Sequence, residues 1–186
     1  MKEALILVDI QNDYFPNGSL PTWQPEETAE QCRIVLDKFR KDGKEVVHVA
    51  HHVLPEVAPI PNFFVPGSFG AEIHESVKPL PEEKVIVKYY SNGFWETGLK
   101  DYLKSKGIEK IVVVGMMIHN CVPATVFAGK DEGFEVVVVD EAVNTLDQPL
   151  HGEMIKAEDI KRGYLAGIQF YYAKVKKVQD ILDNNY

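Results

Sequence analysis

The sequence VVVGMMIHNCVPATV at residues 112–126 determines how the rest of the chain is interpreted. Its β-branched apolar run stops at Gly115, and Cys121 follows after a short polar break. This pattern predicts a buried strand, a tight turn and a helix that begins at the thiol. A thiol at a helix N-terminus lies at the positive end of the helix dipole, which favours the nucleophilic thiolate. The stretch therefore predicts a reactive cysteine at the end of a strand.

Length and composition indicate an ordinary globular protein. With 186 residues, residues 1–186 are expected to form a single domain with a sizeable core. A net charge of -8 without a Lys/Arg cluster argues against nucleic acid or an anionic membrane as a partner. The N-terminal apolar run is too short to span a bilayer, and two cysteines do not suggest a disulfide framework, so a cytoplasmic location is expected.

Short apolar runs alternate with amphipathic segments along the chain. Strands are predicted at residues 4–10, 45–52, 83–88, 109–114, 134–139 and 173–175, and helices at residues 25–42, 121–132 and 157–172, with another ending near 106 and a turn at 178–184. Strands that alternate with helices form βαβ units, so the pattern predicts an α/β fold with a parallel sheet covered by helices on both faces. Residues 54–81 form a long proline-rich loop, which in a compact domain is usually functional or an interface.

Asp9 and Lys88 are placed like Cys121, at the carboxyl end of a predicted strand. Ligands bind at this edge of an open α/β sheet, so the three side chains could meet there. Asp9 could accept the thiol proton and later give it to a leaving amine, while Lys88 could lower the pKa of the thiol. Backbone N–H groups of residues 115–121 could form an oxyanion hole. A capping aspartate, a surface lysine and a buried inert cysteine are the alternative interpretations.

Histidines at the second strand suggest a metal site, but their spacing argues against it. Neighbouring residues of a strand point to opposite faces, so His51 and His52 cannot easily converge on one ion. No Asp-x-His or His-x-His pair lies nearby, although His74 could be a remote ligand. We therefore predict no metal and no other cofactor, and leave open a weak site involving His51, His52 or His74.

Five segments in order along nearly the whole chain resemble the isochorismatase-like cysteine hydrolases. They are VDIQNDYF at 8–15, FVPGSFGAEIH at 64–74, VIVK at 85–88, SNGFWETGL at 91–99 and GMMIHNCVPATVFAGKDEGFEVVVV at 115–139. The resemblance implies a three-layer α/β/α fold with a doubly wound, six-stranded, mainly parallel sheet. It also implies an Asp9–Lys88–Cys121 catalytic triad.

The same resemblance implies details of the turn before the cysteine. A non-proline cis peptide is expected between Met116 and Met117. The N–H groups of Met117 and Cys121 would then point at the substrate carbonyl oxygen as an oxyanion hole.

Pocket and assembly are also part of what the resemblance implies. Tyr14 and Phe94 should line the substrate pocket, and Phe63 in the long loop is a further candidate for a substrate contact or an interface. Because family members are commonly oligomeric, a homo-oligomer, either a dimer or a tetramer, is expected.

Departures from the family pattern argue against two of the reactions found in the family. Nicotinamidases of the family bind a metal through an Asp-x-His pair after the second strand and a later His, whereas this chain has HHVLPEV at residues 51–57 and Phe63 at the later position. This argues against a metal and against nicotinamidase activity. Isochorismatases that cleave a vinyl ether lack the thiol, so Cys121 argues against that reaction. Ile118 and Asn120 replace the Thr and Met common in the motif and leave the substrate open.

The predicted function is hydrolysis of an amide, carbamoyl or related C–N bond of a small molecule through a thioester on Cys121. Asp9 would protonate the leaving amine and then activate water. Two alternatives remain at this stage. One is a catalytically silent binding or assembly module with the same fold, and the other is a redox-responsive thiol, which would not need Asp9.

Overall fold

The computed structural model of the protein describes residues 1–186. Eight strands lie along the chain: β1 (Glu3–Val8), β2 (Glu45–His51), β3 (Lys84–Lys88), β4 (Lys110–Met116), β5 (Glu135–Asn144), β6 (Gln148–Leu150), β7 (Glu153–Ile155) and β8 (Lys174–Lys176). Six of them form one sheet in the order β3-β2-β1-β4-β5-β8, and every neighbouring pair is parallel. The strand order reverses between β1 and β4, which makes the sheet doubly wound and confirms the predicted fold class.

Five helices cover both faces of this sheet: α1 (Pro25–Lys41), α2 (Leu99–Ser105), α3 (Cys121–Asp131), α4 (Ala157–Tyr171) and α5 (Val178–Leu182). One apolar core contains the buried faces of α1 and α5, and a second contains those of α2, α3 and α4. Strand β1 supplies both cores, because Leu5 and Leu7 belong to the first while Ala4, Ile6 and Val8 belong to the second. This alternation is the reason for its nearly continuous apolar sequence.

The structure differs from the sequence prediction after residue 139. Strand β5 continues through Asp140 to Asn144, whereas the apolar run that predicted it stops at Val139. An irregularity in the pairing, in which Val113 lies opposite Val138 but Gly115 lies opposite Val143, leaves the extra residues on β5 and lets its second half pair again. Further along, residues 148–155, where no strand or helix was predicted, contain the antiparallel hairpin of β6 and β7. Each hairpin strand has three residues, too few to show a period of two.

None of the described helices is long and apolar enough to cross a membrane.

Candidate active site

The three residues predicted for catalysis come together at the carboxyl edge of the sheet. Asp9 follows β1, Lys88 ends β3, and Cys121 is the first residue of the helix after β4. Strands β1 and β4 are neighbours, but β2 lies between β1 and β3. The long lysine side chain therefore has to reach past the end of β2 to meet Asp9.

Asp9 and Lys88 form a fully buried ion pair. Asp9 Oδ2 lies 2.8 Å from Lys88 Nζ, and both side chains are 0% exposed. The ammonium also donates a hydrogen bond to the backbone carbonyl of Tyr90 at 3.1 Å. Burial acts to lower the pKa of Lys88, but the interaction with the Asp9 carboxylate outweighs it and raises that pKa above its ordinary value. Lys88 is therefore a permanent cation in the site at neutral pH.

The surroundings of the Cys121 sulfur favour the thiol over the thiolate at rest. Burial and the Asp9 carboxylate raise the pKa of Cys121 well above its ordinary value, and the opposing effect of Lys88 is smaller. The helix N-terminus cannot outweigh full burial next to a second negative charge. Attack by this sulfur therefore needs a base. Oδ1 of Asp9 is buried and has no hydrogen-bond partner among the described residues, so it is free to take the proton.

The turn before Cys121 has the backbone conformation implied by the family resemblance. The Met116–Met117 peptide is cis, and the carbonyl of Met117 accepts hydrogen bonds from the N–H groups of Asn120 and Val122. Within the described structure, the N–H groups of Met117 and Cys121 donate to no backbone or side-chain acceptor. Both are therefore available to a substrate oxygen, as an oxyanion hole requires.

His51 is a site residue that the sequence analysis considered only as a metal ligand. It ends β2, and its Nδ1 lies 3.6 Å from Cys121 Sγ and 3.7 Å from Asp9 Oδ2. The Gln11 side chain fixes its backbone, accepting from the His51 N–H at 2.8 Å and donating to the His51 carbonyl at 2.9 Å. The rule that pointed to Asp9 and Lys88, a polar residue at the end of a parallel strand, also applies to His51.

Ligand atoms of Asp9, His51 and Cys121 lie within 4.8 Å of one another, a spacing that a metal ion could bridge. The chemistry of this donor set does not fit one. The Lys88 ammonium already lies 2.8 Å from the Asp9 carboxylate and is the charge partner of that group, so a divalent ion bound by Asp9 would meet a fixed positive charge.

The other histidines considered as metal ligands are engaged elsewhere. The ring of His52 packs against Tyr89, with ring centroids 6.3 Å apart. His74 stacks on Phe15 at 3.6 Å, and its Nδ1 lies 2.8 Å from Ser76 Oγ. The structure therefore does not bring these two rings to His51.

A cavity of about 270 Å³ opens beside the triad. Its lining is aromatic (Tyr14, Phe63, Tyr89, Tyr90), aliphatic (Val53, Val57, Pro59) and polar (His51, Ser91, Asn120). The lining includes two of the three predicted substrate contacts, Tyr14 and Phe63. Burial, Cys121 and Asp9 raise the pKa of Tyr14, so its hydroxyl is a neutral hydrogen-bonding group.

Phe94, the third predicted contact, lies elsewhere, and the expectation that it lines the pocket is corrected. Its ring packs against Phe134, with centroids 5.9 Å apart, in the core beneath α2, α3 and α4. A Cβ atom on Gly129 would come within 3.3 Å of this ring, so the aromatic side chain fills the space above that glycine. Its role in the structure is packing.

Asp13 holds the aromatic wall in place. Its Oδ2 accepts the Phe64 N–H at 2.6 Å, and its Oδ1 accepts the Ser19 N–H at 3.0 Å. The carboxylate also packs on Gly70, where a Cβ atom would come within 2.2 Å of Oδ1. The second aspartate of the VDIQNDYF segment therefore acts on the loop that carries Phe63.

Comparisons with known proteins agree with this geometry. Residues 3–163 match the model of the isochorismatase domain. The chain is 39% identical over 182 residues to YddQ of Bacillus subtilis (strain 168), an uncharacterised isochorismatase family protein, covering 98% of this chain and 99% of that one.

Two solved structures are similar over nearly their whole length. A protein from Oleispira antarctica assigned as an isochorismatase hydrolase superposes with a TM-score of 0.91 at 38% identity, covering 98% of this chain and 96% of that chain. The N-carbamoylsarcosine amidase of Thermoplasma acidophilum superposes with a TM-score of 0.81 at 26% identity, covering 96% of this chain and 97% of that chain.

Proposed function

The chain belongs to the isochorismatase family of hydrolases, and from that premise we propose that it cleaves an amide, carbamoyl or related C–N bond of a small molecule through a thioester on Cys121. The observation that supports this most directly is the buried Asp9–Lys88 pair, 2.8 Å between charged atoms, beside a buried thiol at a helix N-terminus. The similarity to an N-carbamoylsarcosine amidase supports a C–N bond as the target.

In the first half of the reaction, Asp9 acts as base and then as acid. As Sγ attacks the substrate carbonyl carbon, the thiol proton passes to the unpartnered Oδ1 of Asp9. The N–H groups of Met117 and Cys121 stabilise the oxyanion. The C–N bond then breaks, the amine leaves with the proton from Asp9, and the acyl group remains on sulfur. Hydrolysis of this thioester releases the acid and restores the thiol.

The cavity favours an uncharged substrate. None of the described lining residues carries a formal charge when His51 is neutral, and burial lowers the pKa of His51 below its ordinary value. A carboxylate buried there would have no counter-ion and would pay a desolvation cost. Four aromatic rings in the lining suit a flat apolar group attached to the scissile bond.

The direct test is a panel of small amides, ureas and carbamates screened for release of ammonia or amine. Cys121→Ala should abolish turnover while the folded protein persists, as judged by circular dichroism. Cys32→Ala is the matched control, because Cys32 is also buried but lies in the core on the other face of the sheet.

Two results would count against the proposal. If Cys121→Ala hydrolysed a substrate at the parent rate, the sulfur would not be the nucleophile. If the parent protein turned over no member of the panel and Cys121 also alkylated slowly, the fold would serve as a silent binding module.

A further inference from the structure

Two bases flank the Cys121 sulfur, and they differ in their access to the cavity. Asp9 is 0% exposed and is absent from the cavity lining, whereas His51 is 8% exposed and is part of that lining. Its Nδ1 lies 3.6 Å from Sγ. Cys121, like Asp9, is 0% exposed and outside the lining, so His51 is the group that both lines the cavity and reaches the sulfur.

We propose that His51 is the catalytic base that activates water for hydrolysis of the Cys121 thioester, while Asp9 serves the acylation half. The assignment rests on the thioester of the proposed function. It differs from the expectation drawn from the sequence, in which Asp9 activates the water. The division follows position, because Asp9 is paired with Lys88 and is 0% exposed, whereas His51 lines the cavity and lies 3.6 Å from the sulfur.

In the hydrolysis of the thioester, the proton that leaves water ends on the Cys121 sulfur without leaving the site. Nδ1 of His51 takes a proton from water as the water oxygen bonds to the thioester carbonyl carbon. The C–S bond then breaks, the acid leaves, and Cys121 departs as a thiolate. The proton on Nδ1 lies within hydrogen-bonding range of Sγ and returns to it, which regenerates neutral His51 and the resting thiol.

Every group that faces His51 is compatible with a neutral ring at rest. Burial lowers the pKa of His51, the Asp9 carboxylate opposes this, and Lys88 and His52 act in the same direction as burial. A backbone hydrogen bond with Tyr89 also opposes burial. Cys121 is neutral because its own pKa is raised, and the Phe64 ring, with its centroid 6.0 Å from that of His51, carries no charge. The imidazole is therefore free to accept a proton above roughly pH 6.5, the ordinary histidine value.

A substrate with a leaving group that needs no proton separates the two halves. p-Nitrophenyl acetate acylates a cysteine and releases nitrophenolate at once, so the initial burst reports acylation and the later steady rate reports hydrolysis of acetyl-Cys121. In His51→Gln we expect the burst to survive and the steady rate to fall by about 100-fold or more, the usual effect of losing a general base. Mass spectrometry should then show acetyl groups accumulating on Cys121.

His52→Gln is the matched control. His52 is the next residue in the chain and packs against Tyr89 instead of the sulfur, so both phases should match those of the parent. His51→Ala supplies a readout that a purely structural role would not change. Because free imidazole hydrolyses p-nitrophenyl acetate, its effect is measured on acetyl-Cys121 after the ester is removed. Added imidazole should then speed loss of the acetyl group from His51→Ala, followed by mass spectrometry, and should leave the parent rate unchanged. The decline of the parent deacylation rate in acid, as His51 gains a proton, should be absent from both His51 variants.

The outcomes separate this inference from the proposed function. If Cys121 of the parent is never acetylated, the proposed function fails and the inference fails with it. If the parent is acetylated but His51→Gln deacylates at the parent rate, only the inference fails. If the burst is lost together with the steady rate and imidazole restores neither, His51 acts on the thiol or holds the site together, and the inference is wrong.

Discussion

Replacing Lys88 by methionine gives a stringent test of the buried ion pair. Methionine keeps most of the length and apolar volume of the lysine stem, so the change chiefly removes the ammonium. Asp9 would then be a buried carboxylate whose only close cation, 2.8 Å away in the parent, is gone. The expected result is a large loss of stability, far beyond that of an ordinary lysine substitution.

The magnitude follows from the burial of both partners. Removing one partner of a buried ion pair lowers the free energy of unfolding by about 3–5 kcal/mol, because the other charge is left buried without a counter-charge. Neither side chain of this pair is exposed, so solvent does not screen the remaining charge. If the free energy of unfolding falls by about 2 kcal/mol for each 1 M urea, the urea concentration at the midpoint of unfolding should fall by roughly 2 M. Because the folded pKa of Lys88 is raised, the stabilisation it provides is fully present below pH 10.5 and is lost only as pH rises through that higher value.

Urea unfolding at neutral pH, followed by circular dichroism, measures the effect. Lys84→Met on the same strand is the matched control, because Lys84 is exposed and its loss should change the free energy of unfolding by less than about 0.5 kcal/mol. The double variant Asp9→Asn/Lys88→Met removes both charges and should recover much of the stability lost in Lys88→Met.

The reasoning would be refuted by either of two results. One is a loss in Lys88→Met no larger than that in Lys84→Met, which would mean that Asp9 is not dependent on the ammonium. The other is a double variant no more stable than Lys88→Met, which would show that the loss comes from packing of the side chain and not from an orphaned charge.

Three further predictions concern the thiol, the turn and the substrate. Alkylation of Cys121 by iodoacetamide should keep accelerating above pH 9, because burial and Asp9 raise its pKa above the ordinary 9.0, and a plateau at neutral pH would contradict this. Gly115→Ala should lower the free energy of unfolding by about 3 kcal/mol or more, because φ at this position is 121° and the new Cβ would lie 2.0 Å from the Val8 carbonyl oxygen. Gly163→Ala is the control: it lies in α4 with open space around it and should raise the free energy of unfolding by about 0.5–1 kcal/mol. Equal effects of the two substitutions would refute the steric account. Once an amide substrate is identified, an analogue carrying a carboxylate in place of a neutral substituent should have a kcat/KM at least about tenfold lower, and equal values would show that the cavity holds a counter-charge.

The sequence was sufficient for the position of the triad but not for its protonation state. Strand-end placement brought Asp9, Lys88 and Cys121 to one edge because parallel strands all end there. The acidity of the thiol depends on burial and on the distance to a carboxylate, which are properties of the assembled site. A dipole argument made from one helix start accounts for only one of the influences on the pKa of Cys121, and burial and Asp9 act in the opposite direction.

Side-chain neighbours were the least predictable part. Phe94 lies within the segment SNGFWETGL at residues 91–99, yet its ring packs on Phe134, and no local pattern in the sequence predicts that contact. The extension of β5 past Val139 depends on an irregularity in its pairing with β4, where extra residues of β5 lie between the partners of Val113 and Gly115. His51 also ends a parallel strand, so the pattern that identified Asp9 and Lys88 applies to it, although the spacing of the histidines drew only the question of a metal site. Its position beside the sulfur is visible only in the folded chain.

The raised pKa of the thiol is consistent with catalysis once the charges of the whole triad are counted. At rest the site holds one carboxylate, one ammonium and a neutral thiol, so its net charge is zero. Moving the thiol proton to Asp9 gives a neutral acid, the same ammonium and a thiolate, and the net charge is still zero. A resting thiolate beside ionised Asp9 would instead bury two anions with one cation, at a high desolvation cost. In the proposed mechanism, proton transfer from Cys121 to Asp9 would therefore activate the nucleophile without changing the net charge of the buried site, and the Lys88 ammonium would stabilise the anion in both forms.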